Sequence, residues 1–278
     1  MPPACHSVAA LKDFVQRLSA LPHPGRVTLK KESSVAILTL SNPERRNAMS
    51  GPMMAGLADA VKELEMWNEG VAVILTGEGG TFCSGLDYEL ARGGTVSSPQ
   101  QATLMSQLMT DTLHRLRQLP LLSVAAIDGF AIGGGAELTT ATDWRVMASD
   151  AQVRFVHARM GATTGWGGGA RLVGMLGRAR ALKLLAHGTP LDGNAAFALG
   201  LCDGVAQAGE TAASAAARLL IDPAIAHSAS VQSLRAIKSA FASASDIPPE
   251  VRAEETQAIG RVWGSEANRN ALTGQRST

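Results

Sequence analysis

The sequence predicts an α/β fold in which a mixed core gives way to a helical C-terminal region, and three observations carry that prediction. Two unbroken apolar runs of strand length, VAVILTG (71–77) and LSVAAIDG (122–129), have the pattern of strands covered on both faces. Long stretches with apolar residues at helical spacing lie between and after them. Beyond Gly169 strand patterns nearly vanish, leaving Ala-, Leu- and Arg-rich helical segments.

In chain order, VAALKDFVQRLSAL (8–21) reads as an amphipathic helix stopped by PHPG, so residues 1–25 form an N-terminal helical extension. RVTLKKESSVAILTL (26–40) holds two β-prone runs around Glu32-Ser33-Ser34 and predicts a hairpin. After the loop SNPERRNAMSGP, the residues Met54, Leu57, Ala58, Val61 and Leu64 predict a helix from Pro52 to about Trp67. The strand at 71–77 runs into the loop GEGGTFCSGLDY, and a helix follows through QATLMSQLMTDTLHRLRQ to its stop at Pro120. The strand at 122–129 passes into the glycine run 133–135, which opens a helix; WRVMAS (144–149) and VRFVHARMG (153–161) read as further strands. ARLVGMLGRARALKLLAHG, NAAFALG, ETAASAAARLLI and the stretch from Val231 to about Trp263 are helical, with LCDGVAQ the one late strand signal. We set a core at residues 26–210 and a helical region at 211–278, free to pack on the core or on a neighbouring subunit.

Composition narrows the functional classes. With 46% hydrophobic residues, 18% charged residues and a net charge of +1, the chain has no basic block to track phosphates and no apolar run near the ~20 residues a bilayer requires. Neither nucleic acid nor membrane is an expected partner. Cys5, Cys83 and Cys202 are odd in number and far apart, and no His, Cys or carboxylate cluster has metal-ligand spacing; a reducing compartment and no metal are expected. The first 25 residues hold an acid and few arginines, which favours the cytosol over a mitochondrial address.

The chemistry lies in FAIGGGAELTTATD (130–143). A buried strand, glycines and then a helix start present free backbone N–H groups, which suit either a phosphate or an oxyanion that develops during reaction. Close strand-to-helix packing would also require small residues. The run fits neither G-x-G-x-x-G nor G-x-x-x-x-G-K-[ST]. A second glycine turn, GGTFCSGLDY (79–88), also follows a buried strand, so the two turns can each offer one N–H to a shared oxyanion hole.

NPERRNAMS, TFCSGLD, AIDGFAIGGGAELTTATDWRVMA and GWGGGARLVGMLG resemble, in order and spacing, the successive signatures of the crotonase (enoyl-CoA hydratase/isomerase) superfamily over residues 26–265. The resemblance implies a crotonase-type superhelix of ββα units, a C-terminal helical region used in a trimer or a dimer of trimers, and an acyl-CoA thioester as substrate, with no separate cofactor. It implies that the thioester oxygen accepts from the N–H groups of Leu86 and Gly134. Coenzyme A would lie against Arg45, Arg46, Ala48, Ser84 and Asp87. Hydratases of this kind use two carboxylates. Glu137 matches the first, and His157 stands where the second is expected, as an acid or base or as a structural histidine in an apolar strand.

RFVHARMGATTGWGGGARLVGMLG and GRVWGSEAN further resemble the ethylmalonyl-CoA decarboxylase branch. That likeness implies loss of CO₂ from ethylmalonyl-CoA and, less well, methylmalonyl-CoA, as metabolite repair. The other enzyme reading is a hydratase or isomerase; the non-enzyme reading is an acyl-CoA-binding protein. Thr163-Thr164-Gly165 stands where relatives often have proline, which leaves open the path of the loop to Trp166. Trp166, with Gly133 and Gly165, is expected to line the acyl pocket, the alternative for Trp166 being a core position. An ionised Glu137 would repel the substrate carboxylate, so a protonated Glu137 is expected.

Overall fold

The computed structural model describes residues 8–92, 94–228, 230–242 and 248–274; Cys5 lies outside them. The helix α1 (Val8–Ser19) precedes the hairpin β1 (Arg26–Glu32) and β2 (Val35–Ser41), and α2 (Gly51–Glu65) and β3 (Ala72–Gly77) follow. Next come α3 (Tyr88–Arg92), α4 (Pro99–Gln118), β4 (Leu122–Ile127), β5 (Phe130–Ile132) and α5 (Gly134–Thr139). β6 (Trp144–Met147) and β7 (Gln152–Arg154) lead to α6 (Gly168–Leu176), α7 (Arg178–His187), α8 (Gly193–Leu199) and β8 (Gly204–Val205). The chain closes with α9 (Ala212–Ala216), α10 (Asp222–Ala226), α11 (Val231–Phe241), α12 (Pro249–Val262) and α13 (Glu266–Thr273).

Six strands form the main sheet in the order β1-β2-β3-β4-β6-β8, antiparallel at β1-β2 and parallel elsewhere; β5 and β7 pair in a small parallel sheet. β4-β5-α5 and β6-β7-α6 are thus repeated units whose first strand joins the large sheet and whose second joins the small one. Cys83 bridges in parallel to Ala131, which extends the small sheet to the segment after β3 and gives a third unit. This is the superhelix of ββα units that the family resemblance implies.

The unbroken apolar runs are explained by burial on both sides. In β3, Val73 and Leu75 enter one core cluster while Ala72 and Ile74 enter another; in β4, Ala125 and Ile127 alternate with Val124 and Ala126 in the same way. The second cluster is completed by Ala212, Ala215, Ala216 and Ile221, so α9 supplies a layer of the sheet's own core. α12 packs along α4, and the first cluster runs from Phe14 to Trp263. The boundary set at residue 210 therefore separates no independent core, and the C-terminal helices cover their own chain. The N-terminal helix is also docked, with Phe14 and Leu18 buried, each contributing about 1.5–3 kcal/mol.

Two local expectations differ from the structure. VRFVHARMG yields only the short β7; His157–Met160 is a 3₁₀ turn, because Gly161 at φ +59° ends it and the chain turns away from the sheet. ARLVGMLGRARALKLLAHG splits at Gly177, φ +77°, into α6 and α7. Among the described residues no helix is long and apolar enough to cross a membrane.

Candidate active site

The two glycine turns meet at the edge of the small sheet. Cys83 donates its N–H to Phe130 O (2.8 Å), and Ile132 donates to Cys83 O (2.9 Å). Gly85 then turns at φ +99°, where a Cβ would stand 2.7 Å from Ile132 O and 3.3 Å from Gly134 N, so a side chain would hold the turns apart. Leu86 and Gly134 follow these contacts, both line the same pocket, and their N–H groups donate to no partner among the described residues. Gly133, with φ +57°, precedes α5 and also lines the pocket.

The pocket holds about 660 Å³ including its open mouth. Its walls are mainly apolar, with Met105, Ile132, Val156, Met160 and Trp166 joined by Ile259, Trp263 and Leu272 from the last two helices. Its titratable side chains are Tyr88, Glu137 and His157.

Glu137, one turn into α5, is buried and accepts four hydrogen bonds. Oε1 takes His157 Nε2 (3.0 Å) and Gly165 N (3.2 Å); Oε2 takes Trp166 N and Gly168 N, both at 2.9 Å. Burial pushes its pKa upward, but the His157 hydrogen bond and charge, then the Trp166 and Gly168 N–H groups, outweigh that and hold it below the ordinary carboxylate value. The expected protonated Glu137 is corrected: with donors on both oxygens, the ionised form is the one this loop binds. Among the described residues His157 Nδ1 is buried with no partner, and the ring is tied through Nε2.

Trp166 is 2% exposed and belongs to the core while also walling the pocket, so both sequence readings describe it. Its six-membered ring lies where a Cβ on Gly134 would be, 2.4 Å from Cζ3, which explains the glycine there. Buried Arg171 spans the region, donating to Glu137 O (3.2 Å), Trp166 O (2.8 Å) and Thr140 Oγ1 (2.9 Å). Burial lowers its pKa to about 10, still protonated at neutral pH.

Of the residues expected at coenzyme A, Ser84 lines the pocket, and its Oγ donates to Arg45 O (3.1 Å). Arg45 Nη1 lies 3.0 Å from both oxygens of buried Asp87, which ties the 43–48 loop to the second turn. Arg46 is exposed and Ala48 is buried, its carbonyl accepting from Asn42 Nδ2 (3.1 Å); these and Asp87 stand beside the pocket rather than lining it. The organiser of this loop, absent from the sequence expectations, is Asn47. At φ +55° its Oδ1 accepts from Asn42 N (2.8 Å) and its Nδ2 donates to Glu78 O (2.8 Å) and Thr81 O (2.6 Å). Also absent are Ile259 and Trp263, whose i, i+4 spacing signals a packed face without saying on what it packs, and Leu272 on α13.

A family model for enoyl-CoA hydratase/isomerase matches residues 30–271. The chain belongs to the enoyl-CoA hydratase/isomerase family. A Danio rerio protein named ethylmalonyl-CoA decarboxylase is 46% identical, over 92% of this chain and 85% of its own length. An enoyl-CoA hydratase structure from Bacillus halodurans shares the fold with a TM-score of 0.79 at 20% identity, covering 89% of this chain and 99% of that one. A structure from Thermobifida fusca YX in complex with acetoacetyl-CoA is 28% identical, with a TM-score of 0.68 over 90% of this chain and 96% of that one.

Proposed function

We propose that this protein is a carboxy-lyase that removes CO₂ from short 2-carboxyacyl-CoA thioesters, ethylmalonyl-CoA first and methylmalonyl-CoA less well. The observation that carries the reading is the 46% identity, over nearly the whole chain, to a protein named ethylmalonyl-CoA decarboxylase. The acetoacetyl-CoA complex of the Thermobifida relative supports an acyl-CoA thioester in this fold.

The reaction needs little beyond what the pocket offers. With the thioester oxygen between the N–H groups of Leu86 and Gly134, the substrate's carboxylate C–C bond breaks, CO₂ leaves, and the electron pair moves into the thioester to form an enolate. The two N–H groups stabilise the charge on oxygen. One proton then adds to C2, giving butyryl-CoA from ethylmalonyl-CoA. No resident cofactor or metal takes part. Glu137 is ionised and fully occupied, so its role is to hold His157 and the Gly165–Gly168 backbone. His157, on the pocket wall, is assigned the proton transfer to the enolate. Trp166, Gly133 and Gly165 shape the acyl end, and the Arg45–Ala48 loop with Ser84 and Asp87 receives coenzyme A.

The physiological role proposed is repair of carboxylated acyl-CoA side products, in the cytosol. The assembly proposed is a trimer or a dimer of trimers, to be read by light scattering; the partly exposed Leu182 and Phe197 are its candidate contacts. The activity is tested by incubating the pure protein with ethylmalonyl-CoA, methylmalonyl-CoA and crotonyl-CoA and separating the esters by chromatography. Butyryl-CoA and propionyl-CoA are expected. Hydration of crotonyl-CoA with no CO₂ loss would establish the hydratase instead, and no turnover would leave an acyl-CoA-binding protein.

A further inference from the structure

Five of the six residues 165–170 give their N–H groups to two carboxylates on different helices. Gly165, Trp166 and Gly168 donate to Glu137 on α5; Gly169 and Ala170 donate to the two oxygens of Glu255 on α12, at 3.0 and 3.1 Å. Arg171, next in sequence, holds the carbonyls of Glu137 and Trp166. The next turn of α12 adds a second contact to this segment, and the residue that ends the helix reaches the pocket. Glu255 is followed at i+4 by Ile259, whose Cδ1 is 2.8 Å from where a Gly165 Cβ would lie, and at i+8 by Trp263 on the pocket wall. Trp263 is fixed in turn by its Nε1 donating to Val96 O (2.8 Å).

We infer that Glu255 is a positioning residue. From the C-terminal helix it grips the start of α6 and so sets the segment that carries Trp166 and binds Glu137. It touches no substrate. Burial and, second to it, the negative charge of Glu137 raise its pKa, and the charges of both carboxylates act on buried Arg171. A residue kept in such surroundings does more than cap a helix, which an uncharged side chain would serve. The consequence is acyl selectivity: Trp166 closes over the alkyl group only when residues 165–170 are held from both sides. This last statement rests on the decarboxylase reading; the backbone grip does not.

The test compares wild type with Glu255→Gln, Glu255→Ala and Glu255→Asp. Amide hydrogen exchange is followed at residues 165, 166, 168, 169 and 170, and kcat and KM are measured for ethylmalonyl-CoA and methylmalonyl-CoA. Loss of the grip should speed exchange about tenfold in Glu255→Gln even at 165, 166 and 168, whose hydrogen bonds go to Glu137. The ethyl-to-methyl ratio of kcat/KM should fall by about a factor of three to ten, part of the roughly ten- to two-hundredfold worth of a methylene contact, with inhibition by free coenzyme A unchanged. Glu255→Asp should recover part of both effects. Faster exchange confined to 169 and 170, or an unchanged ratio beside a lowered melting temperature, overturns the inference. If Glu255→Gln does not fold, Glu255→Asp is read against the same two outcomes. Wild type that releases no CO₂ defeats the decarboxylase reading alone, and exchange then decides the grip.

Discussion

Replacing Gly134 with alanine puts a methyl group into the most crowded point of the site. The new Cβ would stand 2.4 Å from Trp166 Cζ3 and 2.5 Å from Cη2, whereas carbons in contact normally lie about 3.5–4.0 Å apart. The ring must therefore move by about 1 Å or more. It has little freedom to do so, since Trp166 N is bound to Glu137 and Trp166 O to Arg171. Overpacking of this kind costs about 1–3 kcal/mol, which for a chain of this size lowers the melting temperature by roughly 2–12 °C. The N–H of residue 134 survives, yet a displaced ring misplaces the thioester, and kcat should fall about a hundredfold, as when an oxyanion donor is lost. The assay is a double-mutant cycle with Trp166→Leu, using urea unfolding and CO₂ release. Trp166→Leu alone leaves a void, and the pair should be more stable than the sum of the singles by about 1–2 kcal/mol. Additivity within about 0.5 kcal/mol would refute the contact.

Glu137→Gln should be worse than isosteric, because an amide turns an NH₂ toward donors on one side of the site. A loss of about 2–5 kcal/mol and of nearly all activity is expected; an unchanged urea midpoint contradicts the four-donor arrangement. The same carboxylate gives a pH signature with a definite sign. Its folded pKa is below its ordinary value of 4.5, so its stabilisation is complete above that value and lost as pH falls through the lowered one. The stability gap between wild type and Glu137→Gln should thus narrow in acid, and a gap constant down to acid unfolding would rule this out. Cys83 is buried and its thiol is pushed up to about 12, so native protein at mildly alkaline pH should alkylate there about a hundredfold slower than unfolded protein, as mass spectrometry of the modified peptide can establish.

Much of this arrangement was legible in the sequence. The apolar runs of β3 and β4 announced strands covered on both faces, and the glycine turns at 79–88 and 133–135, each after a buried strand, pointed to a shared edge, although close strand-to-helix packing would also require small residues. What was not legible depended on contacts between distant segments. Nothing near Glu137 in sequence reveals that three N–H groups of residues 165–168 and the imidazole of His157 converge on it, so its ionised state is not legible there. His157 looked like a strand residue because β7 precedes it without a break in apolar pattern. The role of α12 was hidden for a similar reason: Glu255, Ile259 and Trp263 mark one face of a helix, but periodicity does not say which surface that face meets.

An enolate formed by loss of CO₂ and held by Leu86 and Gly134 is the step on which the proposed activity depends. It is tested most directly by running the reaction on ethylmalonyl-CoA in D₂O and measuring CO₂ together with the mass of the product. Butyryl-CoA carrying one deuterium at C2 for each CO₂ released is expected, because the enolate carbon takes a single proton from an exchangeable group. Release of no CO₂, or butyryl-CoA without deuterium, would contradict it.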